Sequence, residues 1–460
     1  MTTVAITPDM LARHNRPGPR YTSYPTVPVW DSQFDATDYQ AALAEVARHP
    51  HEPLALYVHL PFCAERCHYC GCNATVTRRA PVVDGYLDRL EREMHRGDGA
   101  SRHRPPHRLR CTGAAAPPTF WMTAQTRRLV ALVRSLFDVA PNAELSVEVD
   151  PRIATYDQFA LYRELGFRRV SLGVQDFDPA VQRAIGRLQP VEQTIASYTA
   201  CRDLGFASIN FDLVYGLPAQ TEATFGDTLA RVIELAPDRI ATFSYAHVPW
   251  VKPNQKYVDI TAMPDATTKL GLLDMAIEQL GAAGYTWIGL DHFALPDDEL
   301  TIAQCERRLH RNFMGYTAQS TTNVLAFGMS GISDLANSYI QNDSKLGTYQ
   351  KAIDAGHLPV VRGHHLSSDD VLRRHVINHL MCNLELPEHL TLPTCGATLS
   401  EMLPEAMERV EHYIDEGWLV REPGRLTVTM TGRFFLRNIA MEFDGYFQQQ
   451  TETPIFSKTV

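Results

Sequence analysis

Residues 61–73 read PFCAERCHYCGCN, which gathers four of the chain's nine cysteines. Cys63, Cys67 and Cys70 stand in CxxxCxxC spacing, and Cys72 follows two residues on. Thiols so close cannot all find disulfide partners with good geometry, and a reducing compartment would keep them free. Three thiolates on one short loop can wrap a face of a cubane iron–sulfur cluster. The fourth iron then has no protein ligand unless Cys72 supplies one, and an open iron can bind a substrate. All four thiolates closing on one zinc is the alternative. Zinc knuckles usually join two CxxC pairs across a spacer, so this compact loop suits zinc poorly. Cys111, Cys201, Cys305, Cys382 and Cys395 are scattered.

The loop follows the first of a series of short apolar runs: LALYVHLPF (54–62), ELSVEVDP (144–151), RVSLGVQDF (169–177), INFDLVYGLP (209–218) and RIATFSYAHV (239–248). Each reads as a buried strand. Between them, 156–166, 192–205 and 224–235 space apolar residues at three and four, as amphipathic helices do. Gly166, Gly205 and Gly284 each stand where a helix should close in a left-handed residue before the chain re-enters a strand. Successive βα units predict an α/β fold with a parallel sheet, either open or closed as a full or partial barrel, with chemistry at the carboxyl ends of the strands. Glu148 and Asp150, Gln175 and Asp176, Asp212 and Tyr215, and Tyr245 and His247 occupy those ends. Any one of them can equally be a cap or turn former.

Beyond residue 360 the pattern changes to helices followed by a hairpin-like stretch, VREPGRLTVTMTGRFFLRNI. The expected division is 1–50 as an N-terminal arm over the active site, 51–360 as the βα array and 361–460 as a mostly helical C-terminal domain. A helix–helix–wing order can serve DNA binding, but there is no strong basic face, so no nucleic acid partner is expected. The 460 residues, 45% of them hydrophobic, are enough for more than one core. No apolar run approaches the roughly 18 residues of a membrane helix, and the N-terminus lacks a signal-peptide core. That predicts a cytoplasmic protein with no membrane span. A net charge of −10 leaves any anionic partner to be met by local Arg and Lys groups.

CxxxCxxC after the first strand of such an array, with Tyr69 just before the third cysteine, resembles the radical S-adenosylmethionine enzymes. More of the chain, GPRYTSYPT (18–26), LYVHLPFCAERCHYCGCN (56–73), VEVDPR (147–152), GVQDF (173–177), NFDLVYGLP (210–218), DHFALPDDEL (291–300) and LHRNFMGYT (309–317), is similar to the oxygen-independent coproporphyrinogen III oxidases. The resemblance implies a partial parallel (β/α) barrel of the radical SAM type with a mostly helical C-terminal domain, a [4Fe-4S] cluster and S-adenosyl-L-methionine, two molecules of it. The implied reaction is oxidative decarboxylation of the ring A and B propionates of coproporphyrinogen III to vinyl groups by a 5′-deoxyadenosyl radical, in haem biosynthesis. Residue by residue, Cys63, Cys67 and Cys70 would ligate the cluster. Tyr57, Tyr69, Glu148, Gln175, Arg187, Asp212, Ala246 and Ile332 would line the cofactor sites. Cys72 would be needed for activity without being a ligand. Arg20 and Arg311, inside matching motifs, are candidates for the substrate's propionates. A small-molecule tetrapyrrole, an unidentified electron donor and a monomeric state complete the expectation. A haem chaperone-like relative, or a non-catalytic iron–sulfur protein, is the alternative. Cys72 and the Tyr21–Thr26 arm favour the oxidase.

One segment departs from the pattern. Where the family has Leu-His-Trp-Gly-Gly-Gly-Thr-Pro, residues 111–117 read CTGAAAP, which puts Ala115 and Ala116 where glycine backbone would lie against the cofactor. The codons CTG CAC TGG GGC GGC GGC ACC CCC, read one nucleotide later, translate to that same Cys-Thr-Gly-Ala-Ala-Ala-Pro. With the Arg/His-rich run before it, the segment from near His95 to near Pro117 reads as an out-of-frame translation between two compensating insertions or deletions. A genuine basic linker is the rival reading. The chain as written is expected to lose a barrel strand there and to be impaired. Resequencing the gene checks the frame: an uninterrupted frame with no indel pair relative to close relatives contradicts it.

Overall fold

A computed structural model describes residues 6–97, 108–115, 123–319, 323–389 and 397–447, with 456, 458 and 459. Its contacts sort the chain into two compact units. One comprises Met1–Trp30, Thr286–Ser320 and Leu366–Val460, the other Asp31–Tyr285 and Thr321–His365. Residues 286–320 thus group with the two ends of the chain, whereas the sequence pattern divides it at 50 and 360.

The larger unit is a βα array. Its strands are β1 (Leu54–His59), β2 (Arg108–Ala115), β3 (Asp138–Val149), β4 (Arg169–Gln175), β5 (Ser208–Tyr215), β6 (Arg239–Ser244), β7 (Asn323–Phe327), β8 (Ile332–Leu335), β9 (Ser338–Asn342) and β10 (Val360–His365). They lie in the order β10-β9-β8-β7-β1-β2-β3-β4-β5-β6. Pairing is parallel from β7 through β6 and antiparallel from β7 out to β10. Helices Ala80–Gly97, Thr123–Leu136, Tyr156–Glu164, Val191–Asp203 and Glu222–Leu235 supply the crossovers that parallel neighbours require. This is the partial parallel barrel expected.

β2 corrects one expectation. Residues 108–115 do not leave the sheet: they form a strand paired parallel with β1 on one side and β3 on the other, with register shifts near Leu109. Two flanking strands each present a row of N–H and C=O groups that must be paired. That backbone demand outweighs the poor apolar patterning of LRCTG. The surrounding residues 98–107 and 116–122, Ala116 among them, lie outside the described set.

The helix ends follow the glycines. Gly166, Gly205 and Gly284 have φ of +95°, +74° and +93°. The next residues, Phe167, Phe206 and Tyr285, donate backwards to Tyr162 O, Cys201 O and Leu280 O at 2.9, 3.0 and 3.0 Å, the closing bond of a Schellman motif.

Where β1 and β7 end, a buried polar knot fastens them. Glu93, on helix Ala80–Gly97, accepts from Gly328 N at 2.9 Å, Asn342 Nδ2 at 2.6 Å and Tyr349 Oη at 2.6 Å. Tyr86 Oη donates to His59 O at 2.8 Å and accepts from Met329 N at 3.0 Å. Gly328, at φ +91°, is needed there, since a Cβ would stand 2.5 Å from Tyr86 Oη and 2.6 Å from His59 O.

The smaller unit holds the helices Ser368–Asn383 and Pro404–Asp415 and the antiparallel hairpin of Leu419–Glu422 with Arg425–Val428. The YTSYPT arm is a loop whose tyrosines are buried against the C-terminal residues. Tyr21 Oη donates to Asp444 Oδ2 at 3.0 Å, and Tyr24 Oη accepts from Gly445 N at 3.0 Å. Among the described residues no helix is long and apolar enough to cross a membrane.

Burial raises Glu93 to about 7 against its hydrogen bonds. A carboxyl raised on folding stabilises the fold fully below its unfolded value and loses that contribution as pH rises through its folded value. Unfolding of the cluster-free chain in denaturant should therefore show stability falling, by up to about 3 kcal/mol from this group, between pH 4.5 and 7. Glu93→Gln should flatten that slope; an unchanged slope contradicts the assignment.

Candidate active site

The cysteine loop leaves β1 and returns through a two-residue parallel pair, Phe62–Cys63 with Thr75–Val76. Cys67 is buried, Cys63 and Cys70 are half-buried and Cys72 is exposed. All four are free thiols. Burial, then the neighbouring thiols, push Cys63 up to about 11. Hydrogen bonding with the Cys72 side chain brings Cys70 down to about 6 against its burial, and Cys72 is pushed up in turn. Cys72 N also donates to Cys70 Sγ at 3.4 Å. Among the described residues no three His, Cys, Asp or Glu side chains gather around a single-ion position.

Two guanidiniums face Cys67. Arg187 Nη1 lies 3.6 Å and Arg152 Nη2 lies 3.8 Å from its Sγ. Both also bind Asp150, at the end of β3. Arg187 Nη2 reaches Oδ1 at 3.0 Å, and Arg152 Nη2 reaches Oδ2 at 2.7 Å. Burial works to raise Asp150, but Arg187 and Arg152 overcome it and hold the carboxyl below its usual range. Two guanidiniums thus stand beside Cys67, balanced by Asp150 and, 4.0 Å from Arg152, by Glu65, a setting of charged donors suited to an anionic group.

Arg187 is set in place by backbone. Helix Pro179–Ala184 ends at Gly186, φ +64°, and Arg187 N donates back to Gln182 O at 2.9 Å. A Cβ on Gly186 would meet the His68 ring of the cysteine loop at 2.8 Å, and His68 N donates to Ile185 O at 2.8 Å. Over β4, Arg187 Nη2 donates to Gly173 O at 2.7 Å. A Cβ on Gly173 would fall 2.8 Å from Gln175 Nε2 and 3.2 Å from Arg187 Nη2. Gln175 itself takes φ +69°, an uncommon conformation for a residue with a side chain.

The other expected residues distribute as follows. Tyr57 Oη shares a hydrogen bond with His59 Nδ1 at 3.0 Å, and His59 Nε2 meets Asn73 O at 3.0 Å. Burial first, then Glu148 and Cys72, raise the Tyr57 hydroxyl. Glu148 is exposed near the end of β3. Asp212 on β5 accepts from Ser171 Oγ and Asn210 Nδ2, both at 2.8 Å. Tyr69 packs against the cluster of Val181, Ile185, Val214, Leu217, Tyr245 and Val258. Ala246 follows β6, Ile332 opens β8, and Ala115 ends β2 opposite His59. Asp176 is a turn former: it accepts from Asp178 N at 2.7 Å, Thr228 Oγ1 at 2.9 Å and Gln220 Nε2 at 2.6 Å.

Arg20 and Arg311 belong to the smaller unit and come together within it. Arg311 donates to Arg20 O, and Arg20 pairs with Asp291. Asp291 also meets His292 Nδ1 at 2.8 Å. Arg311 lies over the Tyr316 ring at 5.2 Å, and its Nε is buried with no hydrogen-bond partner.

Sequence reading passed over the segment after β6. Asn254 Nδ2 donates to Cys67 O, His68 O and Cys70 O at 3.2, 3.0 and 3.0 Å. Gln255 Nε2 donates to Tyr69 O at 2.8 Å and to Ala246 O at 3.2 Å. Nothing in the local pattern KPNQKY marks these amides, because their partners are carbonyls far away in the chain.

The radical SAM superfamily model matches residues 57–232. The oxygen-independent coproporphyrinogen III oxidase of Salmonella typhimurium is 41% identical over 456 residues, 98% of each chain. That of Synechocystis is 38% identical over 100% of this chain and 99% of its own. The solved structure of coproporphyrinogen III oxidase from Escherichia coli, described as a radical SAM enzyme, superposes with a TM-score of 0.87 at 39% identity, covering 93% of this chain and 98% of that one.

Gly186→Ala should destabilise the chain by about 1–3 kcal/mol through its left-handed backbone, and should speed alkylation of Cys67 in the cluster-free protein. Unchanged stability and alkylation would contradict the packing described.

Proposed function

Since the chain belongs to the oxygen-independent coproporphyrinogen III oxidases of the radical SAM superfamily, we propose that it converts the ring A and B propionates of coproporphyrinogen III to vinyl groups in haem biosynthesis. The product is protoporphyrinogen IX. Enzymes of this family use a [4Fe-4S] cluster and S-adenosylmethionine. Bound together, these supply the 5′-deoxyadenosyl radical that abstracts hydrogen.

The residues fit such a group by their chemistry. Three thiols on one turn have two guanidiniums aimed at one of them, both paired with Asp150, and Arg152 also 4.0 Å from Glu65. In the proposed assignment Cys63, Cys67 and Cys70 hold the cluster. Arg187 and Arg152 offset the negative charge of the sulfurs. Tyr57, Tyr69, Glu148, Gln175, Asp212, Ala246 and Ile332 line the cofactor positions at the carboxyl ends of the strands. Glu148 and Asp212 are carboxylates able to accept from an ammonium or from ribose hydroxyls. Cys72, whose N donates to Cys70 Sγ, is the thiol assigned to the reaction itself. Arg20 and Arg311, joined through Arg20 O, are assigned to the substrate's propionates. A second S-adenosylmethionine, a one-electron donor, a monomeric state and a cytoplasmic location belong to the same proposal.

The observation that carries it is the near full-length likeness to named oxidases together with the CxxxCxxC thiols at the end of β1. Anaerobic incubation with coproporphyrinogen III, a reductant and S-adenosylmethionine should yield the divinyl product and carbon dioxide. Cys63→Ala, Cys67→Ala and Cys70→Ala should each abolish turnover, and Cys72→Ala should abolish it while keeping iron. Formation of no vinyl product by the wild-type chain, under conditions where its cluster is intact, contradicts the proposed reaction.

A further inference from the structure

Four consecutive carbonyls of the cysteine loop, Cys67 to Cys70, are held by two adjacent side chains of the turn Pro253–Tyr257. Asn254 takes Cys67 O, His68 O and Cys70 O; Gln255 takes Tyr69 O. An amide NH2 has two hydrogens, so three acceptors around it make at least one shared bond and leave no doubt which amide atom is nitrogen. Gln255 is anchored in turn, since its Oε1 accepts from Val248 N at 2.6 Å. Lys252 Nζ adds a bond to Asn73 Oδ1 at 2.8 Å, where the loop ends.

Converging the carbonyls on one side has a consequence for the other. Of the loop's N–H groups, His68 N donates out to Ile185 O at 2.8 Å and Cys72 N to Cys70 Sγ at 3.4 Å, while Cys70 N turns back to Cys67 O at 3.3 Å. The negative ends of those four peptide dipoles are met by amide donors and so held on the Asn254–Gln255 side. We infer that Asn254 and Gln255 are positioning residues of the metal centre: given the proposed role of Cys63, Cys67 and Cys70 as ligands, they hold the loop with its carbonyls outward, so that the three sulfurs stay aimed at the cluster.

The test compares wild type, Asn254→Ala, Asn254→Asp and Cys67→Ser, each reconstituted anaerobically with iron and sulfide. Asn254→Asp keeps the shape and removes the donors. Both Asn254 variants should lose iron to a chelator at least about tenfold faster than wild type, as loss of two or more neutral hydrogen bonds gives, and should show a changed electron paramagnetic resonance line when reduced. The unfolding midpoint of the cluster-free chain should move by no more than about 4 °C. Iron release and spectra like wild type in both Asn254 variants overturn the inference, and so does an Asn254 variant that unfolds the cluster-free chain, because the role would then be general to the fold. Cys67→Ser separates the two claims: a full, stable iron complement in that variant overturns the ligand assignment, whereas iron lost from it but retained by both Asn254 variants overturns the clamp alone.

Discussion

The Asp150 carboxylate, shared between Arg152 and Arg187, is the contact on which the rest of the centre hangs. Each guanidinium spends part of its donor fork on Asp150 and turns the remainder toward Cys67. Buried charges persist only when paired and hydrogen-bonded, and removing one member of such a set strands the others at a cost of several kcal/mol. Arg187 also takes Gly173 O, where a Cβ would crowd the guanidinium at 3.2 Å. The ion set therefore links the end of β3, the surface of β4, a helix cap and the cysteine loop in one piece.

A parallel sheet explains why these groups meet. All strands from β7 through β6 point the same way, so each contributes its last residues and the following loop to one edge. The cysteine loop follows β1, Asp150 follows β3, Gln175 ends β4 and the Asn254 turn comes after β6. Small features then set distances. Gly186 lets His68 press against the helix end that carries Arg187, and Gly328 lets Tyr86 bind His59 O beneath the loop's origin. The buried Glu93 knot fastens that origin to the end of the neighbouring strand, β7.

Much of this was legible in the residues themselves. Apolar runs marked β1, β3, β4, β5 and β6, and glycines after amphipathic stretches marked three helix ends, because both signals are local: periodicity and the left-handed conformation only glycine takes easily. The cysteines announced their chemistry by type and spacing. Asp150 was noticed as a strand-end polar group, but its two arginine partners could not be read, since pairing depends on how the loops fold back. Asn254 and Gln255 were invisible for the same reason. Residues 108–115 misled in the other direction: a sequence with little strand character is drawn into β2 by the open ladders of β1 and β3.

The central claim is that three sulfurs from one turn hold an iron–sulfur cube and leave one iron to the nucleoside cofactor. Mössbauer spectra of protein reconstituted with iron-57 test it most directly, because they distinguish irons by their ligands. The account predicts a [4Fe-4S] centre in which adding S-adenosylmethionine shifts one iron site toward higher coordination while the other three stay sulfur-ligated. Four equivalent irons indifferent to S-adenosylmethionine would contradict it.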